Sequence, residues 1–289
     1  MLSIYEGSIW RPPSESRSLI LQATVGCSNN TCTFCCSYKN KKFKIKPLEQ
    51  LRADIYLVEP HYKHVKRIFL ADGDALVIRT QQLTDTLDFL YEVFPQLERV
   101  GVYASPQNLL QKSVDELVLL KEHGLGIIYL GVETGLDSLL TKVKKGVTRQ
   151  QMITAGSIAV ESGIPLSVTI IIGLGGPELS EKHAKETASL LNSVSPDYVG
   201  ALTLMLVDGT ELYNEYRRGE FTLLTPEETL QEMYWLIEAI TCKTVFRSNH
   251  ASNYVPLGGD LPEEKDRLLQ QIELVQKKGM YKSELLRGL

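Results

Sequence analysis

The chain has 289 residues, of which 43% are hydrophobic and 23% charged, with a formal net charge of −4. This composition belongs to a globular protein and excludes a disordered or fibrous one, and the net acidic charge argues against a nucleic-acid-binding surface. No apolar run approaches the roughly 18–20 residues of a membrane span, and the start Met1-Leu-Ser-Ile-Tyr-Glu6 lacks the basic and apolar regions of an export signal, so a cytoplasmic location is expected.

Residues 1–17 read as an N-terminal extension. An apolar run over 18–25 predicts a first strand ending at Gly26, and it leads directly into Cys27-Ser-Asn-Asn-Thr-Cys32-Thr-Phe-Cys35. Three thiolates on one short loop can hold three irons of a four-iron cubane and leave the fourth iron open. A closed zinc site wants four ligands, and only Cys36 and Cys242 remain, with no histidine near the loop. Disulfides fit poorly, because five cysteines is an odd count and the chain is long enough to build a core without them. On the cysteines alone a cluster fits best, with zinc and ordinary thiols as the remaining readings. A ligand set of Cys27, Cys32 and Cys36 is a further alternative, weakened because adjacent residues point in different directions.

After the cysteines, the stretch 38–46 holds five lysines in its last eight positions. It reads as a solvated loop, or as a basic patch for an anionic substrate or an acidic electron donor. Helices are then predicted over 48–58, 81–94, 113–123, 137–143, 149–162, 178–193 and 226–241. Strands are predicted over 67–71, 99–104, 126–132, 166–172 and 198–206. Short apolar strands alternating with amphipathic helices argue for a parallel sheet covered by helices. The expected fold is α/β, a partial (β/α)6 TIM-like barrel over 18–241, with a C-terminal extension over 242–289.

In such barrels the site lies at the C-terminal ends of the strands. The strand ends here are polar or glycine-rich: Ala71-Asp72-Gly73-Asp74, Tyr103-Ala104-Ser105-Pro106, Gly131-Val132-Glu133-Thr134-Gly135 and Gly173-Leu174-Gly175-Gly176-Pro177. Each alone reads as a tight turn. Together, and in order after a three-cysteine loop, they point to one site.

This pattern resembles the radical S-adenosylmethionine (radical SAM) superfamily, and in particular the branch with oxygen-independent coproporphyrinogen oxidase and the methylthiotransferases. The usual cysteine spacing there is three residues, then two; here it is four, then two. The resemblance implies a [4Fe–4S] cluster on Cys27, Cys32 and Cys35, with SAM chelated at the open iron. It places Phe34 near the adenine. It likens Asp72-Gly73-Asp74 to the motif that binds the SAM amino group, and Ser105 to a polar contact with methionine or ribose. By the same resemblance Glu133 meets the ribose hydroxyls and Lys145, with Lys144 as its neighbour, pairs with the SAM carboxylate. Thr169, Ile171 and Gly173 fall at the ribose and adenine contacts of strand five. The implied reaction is oxygen-sensitive. One electron cleaves SAM to a 5′-deoxyadenosyl radical that abstracts hydrogen from substrate.

The stretch 246–259 is polar, aromatic and glycine-containing, and it precedes a helix predicted over 262–278. It suggests a seventh strand and a loop with Arg247, Asn249, His250, Asn253 and Tyr254 facing substrate, His250 and Tyr254 foremost. The plainer reading is a capping loop. The remaining histidines, His61, His64, His123 and His183, are expected at the surface, and Cys242 in the core. The chain reads as a barrel with a short tail, so a small-molecule substrate is expected, with flavodoxin or ferredoxin as one-electron donor and no membrane partner. A cluster-containing trafficking protein, like the haem-chaperone relatives of coproporphyrinogen oxidase, is the alternative function.

Overall fold

The computed structural model describes residues 4–287. The fold is α/β, with a mostly parallel main sheet of eight strands and a separate two-stranded ribbon. The chain forms two compact units, one from residues 1–30, 37–130 and 155–166, the other from residues 31–36, 131–154 and 167–289.

In the first unit β1 (Leu19–Gln22) pairs in parallel with β4 (Arg67–Ala71), β4 with β5 (Arg99–Ala104), and β5 with β6 (Leu125–Glu133), which runs on into the second unit. β2 (Thr24–Val25) turns away from the main sheet to pair antiparallel with β3 (Lys44–Ile45). The helices are α1 (Leu48–Val58), α2 (Thr80–Val93), the single turn α3 (Pro106–Leu109) and α4 (Val114–Glu122). The sequence dictates the limits of α4. Ser113 and Glu116 form a reciprocal capping box at its start, and Gly124 follows its end at φ +98°. The core gathers Phe69, Ala71, Ile127 and Tyr129, with Phe69 edge-on to Tyr103 at 4.8 Å. Each such ring contributes about 1.5–3 kcal/mol by leaving water. The N-terminal extension joins this unit through Glu15, which is fully buried and accepts from Ser18, Arg99 and Tyr129.

The second unit contains α5 (Asp137–Lys142), the first half of α6 (Arg149–Glu161), β7 (Leu166–Ile172), α7 (Gly176–Val194), β8 (Tyr198–Thr203), α8 (Glu211–Arg217) and α9 (Pro226–Ala239). β9 (Thr244–Arg247) extends the parallel run beside β8. β10 (Gly258–Leu261) returns antiparallel on β9, and α10 (Lys265–Lys278) follows. Along β7 the buried residues Val168, Ile170 and Ile172 alternate with the half-buried Ser167, Thr169 and Ile171. Its core holds Val143, Leu174, Leu204, Leu212 and Phe221.

The six predicted strands are present, the first of them split into β1 and β2, and β3, α3, α8 and β10 are additions. The strand expected over 198–206 stops at Thr203, because Leu204 and Leu206 join that apolar cluster instead. His183 is not at the surface: it lies on the buried face of α7 at 2% exposure, bonded to Glu232. The lysine-rich stretch is not uniformly solvated either. Lys46 is buried and paired with Asp54 at 2.7 Å, and Lys41 is paired with Asp72, while Lys44 stays exposed.

Candidate functional site

The cysteine loop leaves the end of β2 through Gly26, whose φ of +79° favours glycine. Cys27 belongs to the first unit, and Cys32, Cys35 and Cys36 to the second. Cys32 is buried, the other three are partly exposed, and none is in a disulfide. Burial and the neighbouring Cys35 push the Cys36 thiol up. In the second unit the loop is tied down by Thr33, whose N–H donates to Val143 O and whose carbonyl accepts from Leu212 N. Phe34 packs there against the cluster of Leu174 and Leu204. Among the described residues no three Cys, His, Asp or Glu side chains are already gathered as a metal-binding group.

The acids after β4 are fixed from within the first unit. Asp72 is fully buried, and its Oδ2 accepts from Gln22 Nε2 at 2.8 Å, Gly26 N at 2.9 Å and Lys41 Nζ at 2.7 Å. Its Oδ1 is buried without a partner. Gly73 admits no side chain, since a Cβ would run into the Tyr38 ring and lie 3.1 Å from Cys27 Cβ. Asp74, also fully buried, accepts from Ser105 N at 3.0 Å and from the side chains of Ser28 and Asn108. Desolvation pushes its carboxyl above the usual range, against the pull of these donors. Ser105 caps α3 by accepting from Asn108 N.

Within the second unit Glu133 and Lys145 meet at 2.7 Å, both nearly buried, with Glu133 held at φ +64°. Glu133, expected to meet the ribose, and Lys145, expected to meet the carboxylate, thus form an ion pair with each other. A Cβ at Gly131 would run into the Glu133 carboxylate and the Lys145 ammonium and displace the pair. Lys144 instead points to solvent, paired with exposed Glu211 at 2.6 Å. Thr169 and Ile171 share the half-buried face of β7. Gly173, at φ +84°, donates its N–H to Glu232 Oε1 at 2.7 Å. Glu232, with His183 at 2.9 Å and Ser180 also on it, has no exposed surface, and sequence reasoning missed it. The available signal was an acid beside Met233 and Leu236 on the apolar face of α9.

In the C-terminal segment His250 Nδ1 accepts from Ser252 N at 3.1 Å, and burial with Lys282 nearby lowers its pKa. Tyr254 donates to Glu284 at 2.7 Å, and burial helps push its phenol up to about 12. The Arg287 guanidinium stacks 3.7 Å over the Tyr254 ring. Asn253 does not face a site: it brackets β8, donating to Ala201 O at 2.9 Å and accepting from Thr203. Gly173 and Tyr254 both line a cavity of about 260 Å³, with Thr203, Leu224 and Arg287; His250 does not.

A family model described as the radical SAM superfamily matches residues 21–191. The chain belongs to the radical SAM superfamily. The haem chaperone HemW of Bacillus subtilis is 28% identical over 177 residues, covering 60% of this chain and 45% of HemW. The ribosomal protein uS12 methylthiotransferase RimO of Desulforamulus reducens is 27% identical over 208 residues, covering 68% of this chain and 44% of RimO. The matched stretch thus spans less than half of either relative. Among solved structures, coproporphyrinogen III oxidase HemN from Escherichia coli aligns with a TM-score of 0.54 at 18% identity, covering 76% of this chain and 51% of that one. Methylornithine synthase PylB aligns with a TM-score of 0.52 at 14% identity, covering 92% and 83%. These two show the fold: the sheet is that of the family's partial TIM barrels.

The cofactors of this superfamily are a [4Fe–4S] cluster and SAM. The chain's donor set fits them. Three thiols fall within nine residues, and the buried, unpartnered Oδ1 of Asp72 is an acceptor suited to an ammonium group. Among the described residues no helix is long and apolar enough to cross a membrane.

Proposed function

We propose that this chain is a radical SAM enzyme acting on a small molecule in the cytoplasm, with a flavodoxin- or ferredoxin-type electron donor. The observation that carries the reading is the three-thiol loop rooted by Asp72 at the strand ends, in a chain of this family. Cys27, Cys32 and Cys35 would hold the cluster through their thiolates. Once bound, the cluster supplies the electron that splits SAM. Asp72, Gly73 and Asp74 present carbonyl and carboxylate oxygens to the SAM amino group, with Ser105 alongside. Lys145 takes the carboxylate and Glu133 the ribose diol. Phe34, Thr169, Ile171 and Gly173 bound the adenosine. Tyr254 reaches substrate from the cavity it shares with Gly173, and His250 meets substrate from the same C-terminal segment.

Anaerobic reconstitution tests this directly. The expected result is about four irons per chain and 5′-deoxyadenosine on reduction with SAM. Cys35→Ala should lose the iron and Cys36→Ala should keep it; the reverse result would replace Cys35 by Cys36 in the ligand set. A second reading, a haem-trafficking protein with little turnover, is favoured by the match to HemW over 60% of this chain. Tight haem binding by a reconstituted protein that makes no 5′-deoxyadenosine would select it.

A further inference from the structure

We infer that Lys41 and Asp72 are positioning residues, a buried clamp that holds the root of the cluster loop and neutralises the charge beside it. The inference rests on the cluster reading above. Asp72 Oδ2 takes the Gly26 N–H, one residue before Cys27, and the Lys41 ammonium, six residues after Cys35. One carboxylate oxygen therefore ties the chain where it enters the loop and where it leaves. Lys41 also donates to Ser8 O at 2.5 Å, and its ammonium lies 5.6 Å from the centre of the Tyr38 ring. Tyr38 in turn accepts from Asn30 Nδ2 at 2.6 Å and fills the space that a side chain at Gly73 would need. Backbone bonds complete the clasp: Asp72 N donates to Thr24 O at 3.1 Å and Gly73 N to Gly26 O at 3.2 Å.

The energetics make the lysine necessary. The Asp72 side chain has no exposed surface and that of Lys41 is 8% exposed. A buried carboxylate stripped of its cation is strongly destabilised, more so than a matched pair is stabilised. Cys27 packs on Gly73, the residue after Asp72. A thiolate-ligated cluster is sensitive to nearby charge and hydrogen bonding. With Lys41 in place a cluster held by Cys27 would lie near a neutral pair; without it, near an unpaired carboxylate. This assigns Lys41 a task inside the protein, separate from any docking role of the lysine-rich stretch.

The test uses the full chain, reconstituted anaerobically, and compares Lys41→Met, Lys41→Arg, Asp72→Asn and Lys44→Met. Lys44 is the control, since its side chain is 52% exposed and pairs with exposed Glu6. Lys41→Met should lose iron to a chelator on the order of tenfold faster than wild type, with shifted g values for the reduced cluster. Asp72→Asn keeps an acceptor for Gly26 but releases Lys41, and should show the same acceleration. It also provides the reading if Lys41→Met does not fold. Lys41→Arg should restore most of the wild-type behaviour, and Lys44→Met should match wild type. Wild-type iron retention and spectrum in both Lys41→Met and Asp72→Asn would overturn the clamp. If the wild type itself takes up no iron, the cluster reading fails separately. Amide exchange at Gly26 and Cys27 in the apo-protein then decides the clamp: faster exchange in the variants supports it, and unchanged exchange overturns it.

Discussion

In the first unit Asp74 is enclosed by neutral donors from Ser28, Ser105 and Asn108, whereas in the second Glu133 rests against a single cation, Lys145. Asp74 has no exposed surface, while the Glu133 and Lys145 side chains keep 11% and 9%. The first arrangement spends every donor on holding two strand ends and a helix turn together. The second sets two opposite charges against each other at 2.7 Å, the pair proposed to open to the SAM carboxylate and ribose diol. Polar groups at strand ends thus differ in whether neutral donors or an opposite charge hold them in place.

Removing Asp74 should have the largest effect on the apo-protein. Asp74→Ala leaves the Ser105 N–H and the Asn108 amide without their acceptor, and should cost about 3 kcal/mol in urea unfolding. A loss no greater than that of a surface variant would mean that Asp74 is not part of the frame. Its pH dependence sharpens the point. Because the folded pKa of Asp74 is raised, the group favours the folded state most at low pH. That contribution declines as pH climbs from the unfolded value of 3.8 towards the raised folded value. Asp74→Asn should therefore gain stability relative to wild type across that window as the pH rises. A constant difference would contradict the shift.

A smaller stability change and a larger ligand effect are expected at the ion pair. Glu133→Ala should weaken SAM binding by about 1–3 kcal/mol and disturb unfolding less than Asp74→Ala. Equal SAM affinity in the variant and the wild type would remove Glu133 from the site. The smallest change in stability belongs to Tyr254→Phe, about 0.5 kcal/mol, because its acceptor Glu284 has a side chain 71% exposed and largely solvated. Uncoupled SAM cleavage should survive this substitution and His250→Ala while product formation falls. Collapse of both rates together would place the segment in the SAM site or the frame, not at the substrate.

Much of the fold was legible in advance because it rests on local signals. The apolar runs at 67–71, 99–104 and 166–172 became β4, β5 and β7 with the same limits. The stop of α4 at Gly124 was equally readable. His183 was misread for lack of a local signal: its partner Glu232 lies 49 residues away on another helix. The lysine stretch misled for the same reason. Lys41 and Lys44 look alike in sequence, and only the Asp72 carboxylate, 31 residues from Lys41, separates the buried one from the solvated one.

The sequence by itself determined the family, the alternation of strands and helices, and the three-thiol loop, because periodicity and cysteine spacing are properties of neighbouring residues. Only the tertiary structure decided what each polar side chain does. Asp72 and Asp74 lie two residues apart in one motif, yet one pairs with a buried lysine and keeps an unpartnered oxygen, while the other is closed in by neutral donors. Lys144 and Lys145 are adjacent, yet one faces solvent and the other Glu133. The reason is physical. A charge becomes structural or available according to its burial and to the partners that distant segments bring to it, and neither can be read from the residues beside it in the chain.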